Sequence, residues 1–163
     1  MPMIKRFEDI RAWATARELV NSIYEISKEK PFSNDFALRD QLRRASISVM
    51  SNIVEGFDSG YRPEFVRFLR LAFRSASEIQ SQLYTALDQS YIDQGRFETV
   101  YENATTVKKQ INSFITYLEK KRSNGFPKSR IAEVKAGYQT ESNDLEWEYE
   151  VPVDLHANSQ FLN

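Results

Sequence analysis

Residues 43–57 read RRASISVMSNIVEGF, and whether they form a strand, a serine-bearing catalytic loop or a helix decides the fold. Serine, asparagine and β-branched residues are indifferent helix formers, so composition alone does not settle it. Period-two alternation fits Ile47 and Val49 but fails on both sides, at Arg43-Arg44 and at Ile53-Val54. The helical period holds: Leu38, Leu42, Ala45, Val49 and Ile53 recur at three- and four-residue steps. The stretch reads as a helix. Ser33 or Asn34 is expected to cap the free amides of Asp35 and Phe36 at its start. Gly56 falls where a left-handed C-terminal cap is expected, and DSGYRP, residues 58–63, supplies a turn.

Working outward, three more helices follow the same rule. A first runs from about Phe7 to Lys28, with Ile10, Trp13, Ala16, Val20, Ile23 and Tyr24 on one apolar stripe, and Pro31 ends it. The third opens with Pro63 in its first turn and Glu64 near its positive end. Phe65, Phe68, Ala72, Ser75, Ile79, Leu83 and Ala86 make one face of it, and Val66, Leu69, Phe73 and Ala76 an adjoining one. That face is wider than one bundle core needs and suggests a further buried surface against a partner. The fourth starts near Asp93 or Gly95, carries Phe97, Val100, Ala104, Val107, Ile111, Phe114 and Leu118 on its stripe, and closes at KKRSNGFP, residues 120–127. Four long helices joined by short turns read as an all-α, antiparallel up-down-up-down four-helix bundle over residues 1–127.

Residues 128–163 have no helical period. Their one regular feature is LEWEYEVPV, 145–153, where apolar and acidic residues alternate as in a short strand. A lone strand is not a stable sheet, so this acidic C-terminal tail is expected to be disordered or docked. The net charge of −1 hides the division: residues 1–130 hold 21 Lys/Arg against 16 Asp/Glu, and residues 131–163 hold one Lys against seven acids. A body of +5 thus carries a tail of −6.

Composition removes several chemistries. There is no cysteine, and the single histidine is His156 in the tail, so thiolate chemistry is excluded and a histidine base or metal cluster is not expected. No signal-peptide core or membrane-length apolar run occurs, so a cytoplasmic, cofactor-free, metal-free protein is expected.

The early Phe7-Glu8-Asp9-Ile10 with Trp13, the run Gln41-Leu42-Arg43-Arg44-Ala45-Ser46-Ile47-Ser48, and Ser51-Asn52-Ile53 before Glu55-Gly56-Phe57 form an ordered pattern. Phe65, Phe68-Leu69, Ala72, Ser75, Glu78, Gln82-Leu83, Ala86 and Tyr91-Ile92 continue it. Over residues 4–121 this resembles the small four-helix-bundle family named after the 23S ribosomal RNA intervening-sequence protein. The resemblance implies a non-enzymatic bundle that assembles as a homopentamer. A related branch serves diversity-generating retroelements, where a basic pentamer engages a reverse transcriptase and nucleic acid. Chains of the family stop near the end of the fourth helix, so the resemblance does not account for the tail.

Three groups of residues are candidates for a site. Ser48, Ser51 and Glu55 share a helical face, but without a neighbouring base a serine nucleophile is not expected, and the small side chains read as a close helix contact. Asn52 and Glu55, with Glu78 on the antiparallel third helix, read as a structural polar network, since a bundle di-metal site would need Glu-x-x-His. Arg67, Arg70 and Arg74 share one face of the third helix, and Arg39 and Arg43 form an i,i+4 pair on the second. Guanidinium groups suit bidentate phosphate contact, and fivefold repetition would give about +25 of charge, enough for salt-dependent polyanion binding. The expected function is binding of RNA or DNA, or of a nucleic-acid-processing protein such as a reverse transcriptase, by a homo-oligomer. The alternative is a protein-binding scaffold without nucleic-acid contact.

Overall fold

A computed structural model of the chain describes residues 4–123, and side chains as far as Lys120. Within it the fold is all-α: α1 Arg11–Lys28, α2 Phe36–Asp58, α3 Arg62–Asp88 and α4 Gln94–Ser123, with 3-10 turns at Phe7–Asp9 and Phe32–Asn34. No strand occurs among the described residues, and the tail at 128–163 lies outside them.

The chain before α1 turns rather than joining the helix. The Asp9 carboxylate accepts hydrogen bonds from the backbone amides of Lys5 and Arg6, at 3.0 and 3.1 Å. Those two bonds hold its pKa below the ordinary carboxylate value. Ile10 then takes extended backbone and α1 begins at Arg11, four residues later than the periodicity predicts. The buried row of α1 is Ala12, Ala16, Leu19, Ile23 and Ile26, whereas Trp13 and Val20 are only half-buried and Tyr24 is exposed. The stripe is rotated because small alanines, not the large rings, sit against the neighbouring helices.

α2 confirms the helical reading of RRASISVMSNIVEGF, but both of its ends differ from expectation. The N-cap is Asp35, whose Oδ1 accepts from the Leu38 amide at 3.0 Å; Ser33 and Asn34 are taken up in the preceding turn. Gly56 is not a left-handed cap. The helix runs through it to Asp58, and a Cβ placed there would meet Phe65 Cδ2 at 2.6 Å and Phe68 Cβ at 2.9 Å. Gly56 is a point of close approach between α2 and α3. The left-handed residue is Gly60, with φ +65°, in the α2–α3 turn.

α3 ends in a Schellman motif built on Ser90, a non-glycine residue at φ 56°. The Tyr91 amide reaches Ala86 O and the Ser90 amide reaches Leu87 O, both at 2.8 Å. Tyr91 then stacks on Phe32 with ring centroids 5.1 Å apart, and its hydroxyl donates to Asp35 Oδ2 at 3.2 Å. Residues after α3 are thereby pinned to the start of α2. α4 begins as expected: Asp93 Oδ1 accepts from the Arg96 amide at 2.8 Å, and the whole predicted stripe from Phe97 to Leu118 is buried.

α1 packs on α2 and α4, and α3 packs on α2 and α4, a closed cycle of four. The cross-contacts Gly56–Phe65, Ser48–Ser75 and Gln41–Gln82 run in opposite order along α2 and α3, so these two are antiparallel. Tyr84–Phe97, Gln80–Thr105 and Arg70–Glu119 show the same for α3 and α4. The wide face of α3 is used inside the chain: Leu69 and Ala76 are in the core, with Val66 and Phe73 half-buried against it.

Candidate nucleic-acid interface

The core-facing row of α3 is Phe65, Leu69, Ala72, Ala76. Arg67, Arg70 and Arg74 fall on the opposite side by helical spacing, and all three are exposed. Arg67 donates through Nε and Nη2 to Glu64 Oε1, the first at 2.9 Å, and lies 4.3 Å over the Phe68 ring. That bond raises the Arg67 pKa and lowers that of Glu64. Arg70 Nη2 donates to Glu119 Oε1 on α4 at 2.8 Å. Arg74 makes no ion pair or hydrogen bond among the described residues. Both existing pairs are exposed, where water and salt weaken an ion pair, so an incoming phosphate competes with them.

Beside this row, α3 and α4 leave a cleft of about 400 Å³ lined by Arg70, Phe73, Arg74, Asn112, Ile115 and Thr116. Lys108 borders it, with Nζ 4.8 Å from the Phe73 ring centroid and 2.8 Å from Gln80 Oε1. Gln80 in turn donates to Thr105 Oγ1 at 2.8 Å, and Thr105 donates to Tyr101 O at 3.0 Å. Burial lowers the Lys108 pKa, and no carboxylate among the described residues pairs with it. Sequence reasoning missed Phe73, Gln80 and Lys108 as parts of one feature. Gln80, a polar residue beside the apolar stripe of α3, was the available signal.

Arg39 and Arg43 are placed elsewhere. Arg39 donates to Ser33 O at 3.0 Å and to Asp40 Oδ1 at 2.8 Å, over the Phe36 ring. Arg43 Nε donates to Ser27 Oγ on α1 at 2.8 Å, over the Tyr24 ring. Both are half-buried on the α1-facing flank of α2. In a cycle of four helices the α1–α2 seam and the α3–α4 seam lie on opposite sides. The five arginines therefore form two groups and not one surface.

The expected polar network also divides. Asn52 Nδ2 bonds Ser48 O at 2.7 Å and Ser48 Oγ at 3.0 Å, and Ser48 Oγ meets Ser75 Oγ at 3.1 Å across the α2–α3 contact. Glu78 belongs to a second cluster, accepting from Gln82 Nε2 at 2.9 Å, which also reaches Gln41 at 3.4 Å. Glu55 is exposed and joins neither, contributing only its field to Arg67. The carboxylates of Glu55 and Glu78 are thus not assembled into a common site. Among the described residues no three His, Cys, Asp or Glu side chains are grouped to hold a metal, and no helix is long and apolar enough to cross a membrane.

The family model for the 23S rRNA-intervening sequence protein matches residues 8–113, from the first 3-10 turn into the fourth helix. The chain belongs to that family. A solved structure of a protein of unknown function from the S23 ribosomal protein family of Bacteroides thetaiotaomicron is similar in fold, with a TM-score of 0.60 at 22% identity. The match covers 64% of this chain and 95% of that one. No curated protein matches. The matched segment includes Gly56, the Ser48–Ser75 contact and the arginine row of α3.

Proposed function

We propose that this member of the 23S rRNA-intervening sequence protein family is a non-enzymatic, cytoplasmic homo-oligomer, a pentamer, that binds nucleic acid by charge. The observation that carries this reading is the outward row Arg67, Arg70, Arg74, in which Arg74 is unpaired among the described residues and its neighbours hold only exposed partners. Guanidinium groups one helical turn apart match successive phosphate oxygens along a strand. Arg39 and Arg43 give a second, weaker contact on the other flank, since their donors are largely committed to Ser33, Asp40 and Ser27. The family is named for a sequence intervening in 23S rRNA, which supports RNA over DNA as the ligand. Asn52 and its serine partners hold the scaffold, and Glu55 and Glu78 have no catalytic part.

Fluorescence anisotropy of a labelled single-stranded RNA, titrated across salt, tests it. Replacing Arg67, Arg70 and Arg74 with Gln should reduce affinity at least about tenfold and flatten the log–log salt slope by about 2 for each subunit in contact. Far-UV circular dichroism should be unchanged, since none of the three is in the core. Unchanged affinity and slope would overturn the reading. Failure of the wild-type protein to bind RNA or DNA at low salt would favour the scaffold alternative, with a protein such as a reverse transcriptase as the partner.

A further inference from the structure

The α3–α4 cleft is an unusual shape for phosphate alone. Its lining combines apolar Phe73 and Ile115 with the cations Arg70 and Arg74 of α3, and Lys108 of α4 stands beside Phe73. Among the described residues Glu119 is the one acid paired with any of them. Such a site suits an occupant that brings aromatic surface and negative charge together.

We propose that this cleft holds the chain's own acidic–aromatic segment, Leu145–Val151. In an extended chain successive side chains point to opposite faces, so Leu145, Trp147, Tyr149 and Val151 would share one face and Glu146, Glu148 and Glu150 the other. The apolar face covers Phe73 and Ile115, and the acids of the outer face add an attractive field toward Arg70, Arg74 and Lys108 without contacting them directly. The charges are complementary: the tail beyond residue 130 carries seven acids and one Lys. The reach is ample as well. Ser123 ends α4 seven residues after Thr116, about 10 Å of helix. The 21 residues between Ser123 and Leu145 span up to about 70 Å when extended. Tethering of this length keeps the segment at roughly millimolar local concentration, so a weak intrinsic affinity suffices.

The docking goes beyond the proposed nucleic-acid binding and does not depend on it. Where both hold, the segment and phosphate compete for Arg70 and Arg74, and the tail limits binding to ligands that displace it.

The absence of cysteine permits a direct test in the full chain. Asn112→Cys at the cleft rim with Glu148→Cys in the segment should close an intrachain disulfide under mild oxidation, read as a faster-migrating monomer on a non-reducing gel. Ser51→Cys, exposed on α2 diagonally across the cycle, paired with the same Glu148→Cys is the control and should close about tenfold more slowly. Exchanging Leu145 and Trp147 for Ser should bring the first pair down to the control. Equal closure of the two pairs overturns the docking. If docking holds, added single-stranded RNA should slow closure of the first pair. Unchanged closure with RNA bound would place the nucleic-acid contact away from this cleft, overturning the site assignment of the proposed function while the docking stands.

Discussion

Gly56→Ala sets two effects of known size against each other. In an exposed helix interior, alanine is favoured over glycine by about 1 kcal/mol because it loses less backbone entropy. At position 56 the new methyl would lie 2.6 Å from Phe65 Cδ2 and 2.9 Å from Phe68 Cβ, against a comfortable carbon–carbon separation of about 3.5–4.0 Å. The Phe65 ring has no room to turn, being fully buried and edge-on to Phe114 at 5.2 Å and to Phe57 at 6.3 Å. Phe68 Cβ is fixed to the α3 backbone, so relief there means moving the helices apart. Separation of α2 from α3 would also stretch the Ser48–Ser75 contact at 3.1 Å. Overpacking of this kind costs about 1–3 kcal/mol. Offset by propensity, the net expectation is a loss of up to about 2 kcal/mol, in place of the gain of about 1 kcal/mol that an open site would show. Urea unfolding of the full chain at fixed protein concentration, followed by far-UV circular dichroism, measures it. Gly95→Ala is the matched control. It lies in the first turn of α4, where the nearest atom to a new Cβ is Asp93 Oδ1 at 3.4 Å, and should be neutral or mildly stabilising. Adding Phe65→Leu to Gly56→Ala should cost less than the sum of the single changes, because the smaller side chain vacates the methyl's space. A Gly56→Ala protein more stable than wild type by the full propensity gain of about 1 kcal/mol would refute the close-approach reading.

Two further changes probe the helix ends. Ser90→Gly should raise stability by about 0.5–1 kcal/mol in the same assay, since a left-handed conformation is costly for any side chain and free for glycine; a decrease would contradict the Schellman geometry at the end of α3. Asp35→Ala removes both the cap on the Leu38 amide and the acceptor of the Tyr91 hydroxyl, with an expected loss of about 1–2 kcal/mol. Tyr91→Phe, which removes only the hydroxyl donor, should cost less than that and add little on top of Asp35→Ala. Full additivity would show that the two residues act separately.

The four helices were legible because burial repeats: wherever one side of a helix meets the core, apolar residues recur at its period. On α4 every residue of the stripe read from Phe97 to Leu118 is buried, and Ile115, which that stripe left out, is buried beside it. The errors fall where a side chain's role depends on a residue distant in sequence. Gly56 looks like a terminator in its own neighbourhood, and only the arrival of Phe65 on another helix makes it a contact point. Asp35 was passed over beside Ser33 and Asn34 because the turn that removes those two from competition is itself held by packing of Phe32 under Tyr91. In α1 the rings of Trp13 and Tyr24 outranked Ala12 and Leu19 as core candidates, although small residues are what let two neighbouring helices approach.

The candidate interface follows the same logic one level higher. That Arg67, Arg70 and Arg74 share a face is a property of one helix and could be read directly. That Arg39 and Arg43 belong to another flank is set by which helix lies beside which, and Ser27 and Tyr24 on α1 supply the contacts that hold Arg43 there. The cleft is less legible still, since it needs Phe73 and Arg74 from α3 and Lys108 and Ile115 from α4 at one level of the bundle. Lys108 shows why its chemistry is distinct from that of the surface arginines. It is partly desolvated, held by a neutral amide and an aromatic face, and faces no acid among the described residues. A cation in that setting gains more from an arriving carboxylate or phosphate than one already exchanging water and salt, because the screening that weakens surface pairs is reduced. An anion drawn to this side of the molecule therefore meets Arg70 and Arg74 in the cleft lining and a partly desolvated Lys108 at its border.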